Sequence, residues 1–174
     1  FSNLDNAKTS ENQNFILKEN EIFSPSKTKN SSVFLSPNLV LFILLLITVF
    51  LIFRERKYDL WYKKFDFILF FISGAIGFLL VYLWFFTDHL SSYNFNLIWA
   101  FPLNIVVAFF LFNEKILDKI KIYFLIVSLF LFSLILLWAL LPQKLSVSLF
   151  FLVLAILLRS ISIYLRLHNR LISN

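Results

Sequence analysis

Blocks of about twenty apolar residues, divided by short polar connections, limit what this chain can fold into more than any other feature. A helix needs about 20 apolar residues to cross a hydrocarbon layer of about 30 Å. The chain is 60% hydrophobic and 20% aromatic, which leaves too little polar surface for a soluble domain of this length. The sequence therefore predicts an all-α integral membrane protein, a polytopic helical bundle.

The apolar blocks predict about five transmembrane helices. The spans cover approximately residues 33–53, 65–86, 97–112, 122–141 and 145–164, and residues 1–32 form a polar tail and linker. Ser36 and Pro37 suit the start of the first helix, as N-cap and first helical residue. Pro102 frees a backbone carbonyl in the short third span and favours a kink there. Residues 33–174 are thus predicted to form one transmembrane domain.

The distribution of charge predicts the orientation of the bundle. Two connections and the C-terminal end collect most of the cations, namely Arg54, Arg56, Lys57, Lys63, Lys64, Lys115, Lys119, Lys121, Arg159, Arg166 and Arg170. The opposite connections contain only Lys144. Because cytoplasmic connections are the basic ones, we expect the N-terminus outside and the C-terminus in the cytoplasm. We also expect Arg159 to snorkel from the last helix towards the lipid headgroups.

Composition and motif spacing argue against several functional classes. The net charge of +6 does not indicate nucleic-acid binding, because the basic residues lie at the ends of the apolar blocks. Cysteine is absent, and no metal-ligand cluster, phosphate-binding glycine loop or Ser/His/Asp set is apparent, so no cofactor or metal is expected. Asn104 is a polar residue inside a span and needs a partner. A structural bridge is the favoured interpretation, and a transporter site beside Pro102 is the alternative.

A polar hairpin between the second and third spans is the candidate site for recognition or chemistry, because it carries no Lys or Arg. Asp88 beside His89 is either an acid–base or orienting pair, or a turn residue next to an interfacial imidazole. Asn96 is placed to cap the third helix, and Asn94 to hydrogen-bond within the loop. Thr87, Asp88, His89, Asn94 and Asn96 form the predicted docking or substrate loop.

Two motifs flank this hairpin: LWFFTDH at residues 83–89 and NFNLIWAFPLN at residues 94–104. With Ser36-Pro37 and the SGAIG stretch at 73–77, they resemble the C-terminal membrane region of Bacteroidota proteins that have an Lnb-type N-terminal periplasmic domain. The resemblance covers residue 33 onward. It implies an upstream periplasmic acyltransferase-like domain whose cysteine and histidine act in acyl transfer to lipoproteins. This chain has no cysteine, so the nucleophile is not carried over to it.

The resemblance implies a multi-pass anchor in the bacterial inner membrane, holding the catalytic domain at the membrane surface. Residues 1–32 would then be the end of that domain, which agrees with a chain that begins without Met. Membrane lipids and a lipoprotein substrate are the implied partners, and whether the full-length protein is an enzyme stays open. The alternative hypothesis is a non-catalytic subunit of a larger envelope or secretion complex, with envelope membrane proteins as partners.

Overall fold

A computed structural model describes the backbone of residues 36–86 and 94–173 and the side chains of the same residues as far as Arg170. The predicted polar tail, residues 1–32, lies outside the described residues. Within them the chain is all-helical, as predicted. The five α-helices are α1 (Pro37–Tyr58), α2 (Lys63–Phe86), α3 (Asn104–Phe110), α4 (Leu117–Leu136) and α5 (Val147–Ser173). Short 3₁₀ turns cover Phe95–Ile98 and Trp138–Leu140.

Four of the described helices are long and apolar enough to cross a membrane: α1, α2, α4 and the Val147–Arg170 part of α5. The first of them begins where the sequence predicts, because Ser36 caps it and accepts a hydrogen bond from the Leu39 N–H at 3.3 Å. It continues to Tyr58 and ends at Asp59, whose φ of 48° is left-handed. Glu55 therefore lies on a helix, inside the stretch that the sequence predicts as a connection.

The third apolar block is not one continuous helix. A 3₁₀ turn ends at Ile98, an irregular stretch covers residues 99–103, and α3 has only seven residues. Pro102 accounts for the interruption, because it has no N–H to donate and disfavours helical geometry at the residue before it. Where the sequence predicts a kink within one span, the structure has a full interruption over residues 99–103. It places Asn104 at the first position of α3.

Two glycines of α2 allow this broken segment to approach the helix backbone. A Cβ atom on Gly77 would lie 1.7 Å from the Ala100 carbonyl oxygen, and one on Gly74 would lie 2.4 Å from the Ile105 nitrogen. Neither position leaves room for a side chain. The small residues of the second span thus serve close helix packing, although their spacing is three residues rather than the familiar four.

The helices form two packed groups around α5. One group consists of α1, α4 and α5, in which α5 packs along both of the others, and the second is the α2–α3 pair. Phe70 of α2 meets Phe124 of α4 edge to face, with ring centroids 5.2 Å apart. α1 and α2 share no close backbone contact although they follow each other in sequence. Many large apolar side chains point outward, as expected where lipid rather than water surrounds the bundle.

Candidate functional site

Arg159 is buried in the bundle and not extended towards headgroups. Its side chain has no exposed surface, and it pairs with Glu55 of α1 and Asp66 of α2, which are 4% and 0% exposed. The predicted snorkelling of Arg159 is therefore wrong. The physical reason is that two carboxylates from neighbouring helices satisfy the guanidinium inside the protein, so it has no need to reach the surface. We call these three residues the Arg159 cluster.

Six hydrogen bonds hold the Arg159 cluster. Arg159 donates Nη1–H and Nη2–H to the two oxygens of Glu55 at 2.8 and 3.0 Å. It donates Nε–H and Nη2–H to the two oxygens of Asp66 at 2.6 and 2.7 Å. Trp61 Nε1–H adds a bond to Asp66 at 2.8 Å, and the Tyr62 backbone N–H adds one to Glu55 at 2.8 Å. Both carboxylates thus accept from N–H groups at both oxygens.

This arrangement joins three helices at one point. Asp66 is bound side-on, through Nε and Nη2, and Glu55 end-on, through Nη1 and Nη2. Each carboxylate thus forms the two-bond contact with a planar guanidinium for which arginine is suited. Removing Arg159 would leave two buried carboxylates without a compensating cation. The sequence carried a signal for the cluster, because Glu55 stands among cations and Asp66 among phenylalanines, and an acidic residue in such a setting indicates a buried partner.

A second polar group, the Asn104 network, joins α2, α3 and α4. Asn104 is fully buried; its Nδ2–H donates to Ser73 Oγ at 2.9 Å, and its Oδ1 accepts from Tyr123 O–H at 2.5 Å. Ser73 in turn donates to the Phe70 carbonyl at 3.0 Å. The side chain of Asn104 therefore bonds to other helices and stabilises the point where the broken segment becomes helical again.

The structure describes only the C-terminal part of the predicted docking loop. Thr87, Asp88 and His89 lie outside the described residues. Asn94 caps the 3₁₀ turn: its Oδ1 accepts from the Asn96 backbone N–H at 3.0 Å and from Asn96 Nδ2–H at 2.8 Å. The cap is therefore Asn94, and Asn96, which the sequence placed as a helix cap, lies one residue inside the turn.

Further bonds fix this end of the hairpin to the bundle. Asn96 Oδ1 accepts from Trp99 Nε1–H at 2.9 Å, and Gln143 Oε1 accepts from the Phe95 backbone N–H at 2.8 Å. Gln143 belongs to the connection between α4 and α5. Two connections that are far apart in sequence therefore meet at the end of the bundle that the sequence marks as poor in cations.

The opposite, basic end is joined by exposed ion pairs. Glu114, in the connection between α3 and α4, accepts from Lys63 Nζ at 2.5 Å and from Arg170 Nη1 at 2.7 Å. These hydrogen bonds hold the pKa of Glu114 below its usual value of 4.5, and the bond from Lys63 has the larger effect. Among the described residues, no group of three His, Cys, Asp or Glu side chains could hold a metal ion.

Comparison with known proteins identifies the family. A family model of the Lnb transmembrane domain, a domain of five transmembrane helices, matches residues 28–170. No curated protein and no solved structure matches the chain. The family match covers most of the chain and confirms the resemblance that the hairpin motifs carry. It also agrees with the helical, multi-pass architecture of the described residues. The chain belongs to the Lnb transmembrane domain family.

Proposed function

We propose that this domain is the membrane anchor of an Lnb-type acyltransferase and holds a catalytic domain at the outer surface of the bacterial inner membrane. The observation that carries the proposal is the family match over residues 28–170. An anchor suits this chemistry, because the donor phospholipid and the acceptor lipoprotein both keep their acyl chains in the bilayer. Holding the enzyme at the same surface raises the effective concentration of the reacting groups.

The hairpin end of the bundle is the proposed docking surface for that catalytic domain. Its described part is polar, and side-chain hydrogen bonds of Asn94, Asn96 and Gln143 fix the 3₁₀ turn in place. A surface that is fixed before docking loses less conformational entropy when it binds. The lack of cations in the hairpin supports its placement on the exported side. Thr87, Asp88 and His89 precede the turn in sequence, and the proposal includes them in the docking loop.

A cleavable linker tests the anchoring role. We would insert a site for a specific protease between Ser26 and Lys27 of the full-length protein and measure lipoprotein N-acylation in membranes before and after cleavage. Loss of most of the acylation after cleavage is expected, because the enzyme leaves the surface that holds its substrates. A detergent-solubilised lipoprotein should remain a substrate after cleavage. Full acylation in cleaved membranes, with the catalytic domain released, would reject the anchor.

Paired substitutions test docking at the hairpin. The double variant His89→Ala/Asn94→Ala should lower acylation several-fold and weaken binding of the separated catalytic domain to the membrane domain. The matched control is Lys115→Ala/Lys119→Ala, which changes two exposed residues at the opposite end and should leave both quantities unchanged. Equal behaviour of the two double variants would remove the hairpin from the proposal.

Purification in fixed stoichiometry with unrelated membrane proteins would favour a subunit of a larger complex instead.

A further inference from the structure

α1 and α2 are held apart by the Arg159 cluster. They share no close backbone contact, and the guanidinium of Arg159, from α5, lies between Glu55 of α1 and Asp66 of α2. Because both carboxylates bind the same rigid, planar group, the two helices cannot close on each other at this level. The Arg159 cluster thus fixes the separation of α1 and α2 at the end where Glu55 and Asp66 lie.

The space between α1 and α2 forms a slot of about 250 Å³. α1 and α2 supply its walls, and Trp99 and the Leu152 side chain of α5 complete it. Leu41 and Leu44 of α1 line one side, and Phe65, Ile68, Ile72 and Ile76 of α2 line the other. The one hydroxyl in this lining, that of Ser73, already bonds to the Phe70 carbonyl and to Asn104. The slot therefore offers only apolar contacts.

The length and position of the slot suit hydrocarbon. From Phe65 to Ile76 the α2 wall extends over roughly 16 Å of helix, at about 1.5 Å per residue. That is about half of a hydrocarbon core of ~30 Å, or the depth of one leaflet. Ile68 and Ile72 are 56% and 53% exposed, so the slot opens sideways onto the lipid-facing surface. Such a space, opening into the bilayer, is filled most readily by a lipid tail.

We infer that the slot between α1 and α2 binds one acyl chain of a membrane phospholipid. The inference depends on the membrane-embedded fold and not on the anchoring role proposed above. The bound chain packs against Leu44 and Ile72 and reaches the indole ring of Trp99. Trp99 is 5% exposed overall, so a lipid that merely surrounds the bundle does not reach it, whereas a chain inside the slot does.

This property of Trp99 provides the test. The protein is reconstituted in nanodiscs of phosphatidylcholine with or without bromine atoms on the acyl chains, which quench indole fluorescence on contact. The emission of Trp99 is obtained as the difference between the wild-type protein and the Trp99→Phe variant in each lipid. We expect brominated chains to remove most of this emission. A slot-filling variant, Leu44→Phe, should restore it, whereas Leu79→Phe, on the lipid-facing side of α2, should not.

Each outcome decides the matter. Strong quenching that only the slot-filling variant relieves supports an acyl chain in the slot. Absence of quenching in the wild-type protein overturns the inference, because the slot is then closed or occupied by protein, either another segment of this chain or a second copy. Equal quenching in the Leu44→Phe and Leu79→Phe variants also overturns it. Matching helical content by circular dichroism would show that the variants are folded, and a misfolded Leu44→Phe variant would be replaced by Leu41→Phe.

Discussion

Arg159 and Asp66 face each other across the α5–α2 interface and share two hydrogen bonds, from Nε at 2.6 Å and from Nη2 at 2.7 Å. Glu55 binds the other edge of the same guanidinium. These contacts compensate for the scarcity of direct packing between α1 and α2. In a bilayer, where lipid tails are as apolar as leucine, polar and closely packed contacts decide which helices associate.

Removing Arg159 alone should destabilise the protein more than removing all three charges of the Arg159 cluster. Arg159→Met alone leaves two buried carboxylates without a cation, and breaking such a pair costs about 3–5 kcal/mol. The triple variant Glu55→Gln/Asp66→Asn/Arg159→Met removes every charge and should lose less stability. Thermal unfolding in nanodiscs measures both. A triple variant less stable than the single variant would contradict this account of the cluster.

Gly77→Ala should destabilise the bundle although alanine is the better helix former. In an open helix the change would be favourable by about 1 kcal/mol. Here the new methyl group would meet the Ala100 carbonyl oxygen, and overpacking of this kind costs about 1–3 kcal/mol. Chemical denaturation of the purified domain checks the sign. A more stable Gly77→Ala variant would show that the broken segment does not press on α2.

The Asn104 network should behave as a coupled pair across helices. Tyr123→Phe removes the donor to Asn104 Oδ1, and Asn104→Leu removes the acceptor, so the double variant should lose less stability than the sum of the single changes. A coupling of about 0.6–2 kcal/mol is expected for a hydrogen bond between transmembrane helices. A double-mutant cycle on unfolding free energies gives this value. Strict additivity would mean that the bond contributes nothing.

The ion pairs of Glu114 should give a small pH dependence of stability. The folded pKa of Glu114 lies below its usual value of 4.5, chiefly because of the hydrogen bond from Lys63. Its stabilisation is therefore present above pH 4.5 and lost as the pH falls through the lower, folded pKa. The stability difference between the wild-type protein and Glu114→Gln should be small at neutral pH, since exposed pairs contribute about 0–1 kcal/mol, and vanish in acid. A difference that grows on acidification would contradict the assignment.

The sequence predicts the four long helices of the described residues well, because the bilayer restricts what can cross it. The block length sets the number of spans, and Ser36-Pro37 sets the first helix start. Both signals are local, so both can be interpreted without knowing which helices touch. The family could likewise be identified from the hairpin motifs, which are also local sequence signals.

The side-chain pairing could not be predicted to the same degree, because it depends on contacts between distant parts of the chain. Arg159 lies 104 positions from Glu55 and 93 from Asp66, and sequence alone does not say which helices adjoin α5. A lone arginine that directly follows an apolar block is equally compatible with snorkelling. Gly77 posed a similar problem, since its contact with Ala100 depends on the break at Pro102.

The orientation of the bundle is the claim on which the anchoring proposal depends, and cysteine labelling tests it directly. Residues 1–174 contain no cysteine, so, once any cysteine of an upstream domain is changed to serine, Asn94→Cys and Glu114→Cys each provide a single thiol at opposite ends. The reagent is a maleimide that enters the periplasm but does not cross the inner membrane. In intact cells it should label Asn94→Cys. It should label Glu114→Cys only after the inner membrane is opened. Labelling of Glu114→Cys in intact cells, with Asn94→Cys protected, would reverse the topology and contradict the docking of an exported enzyme at the hairpin.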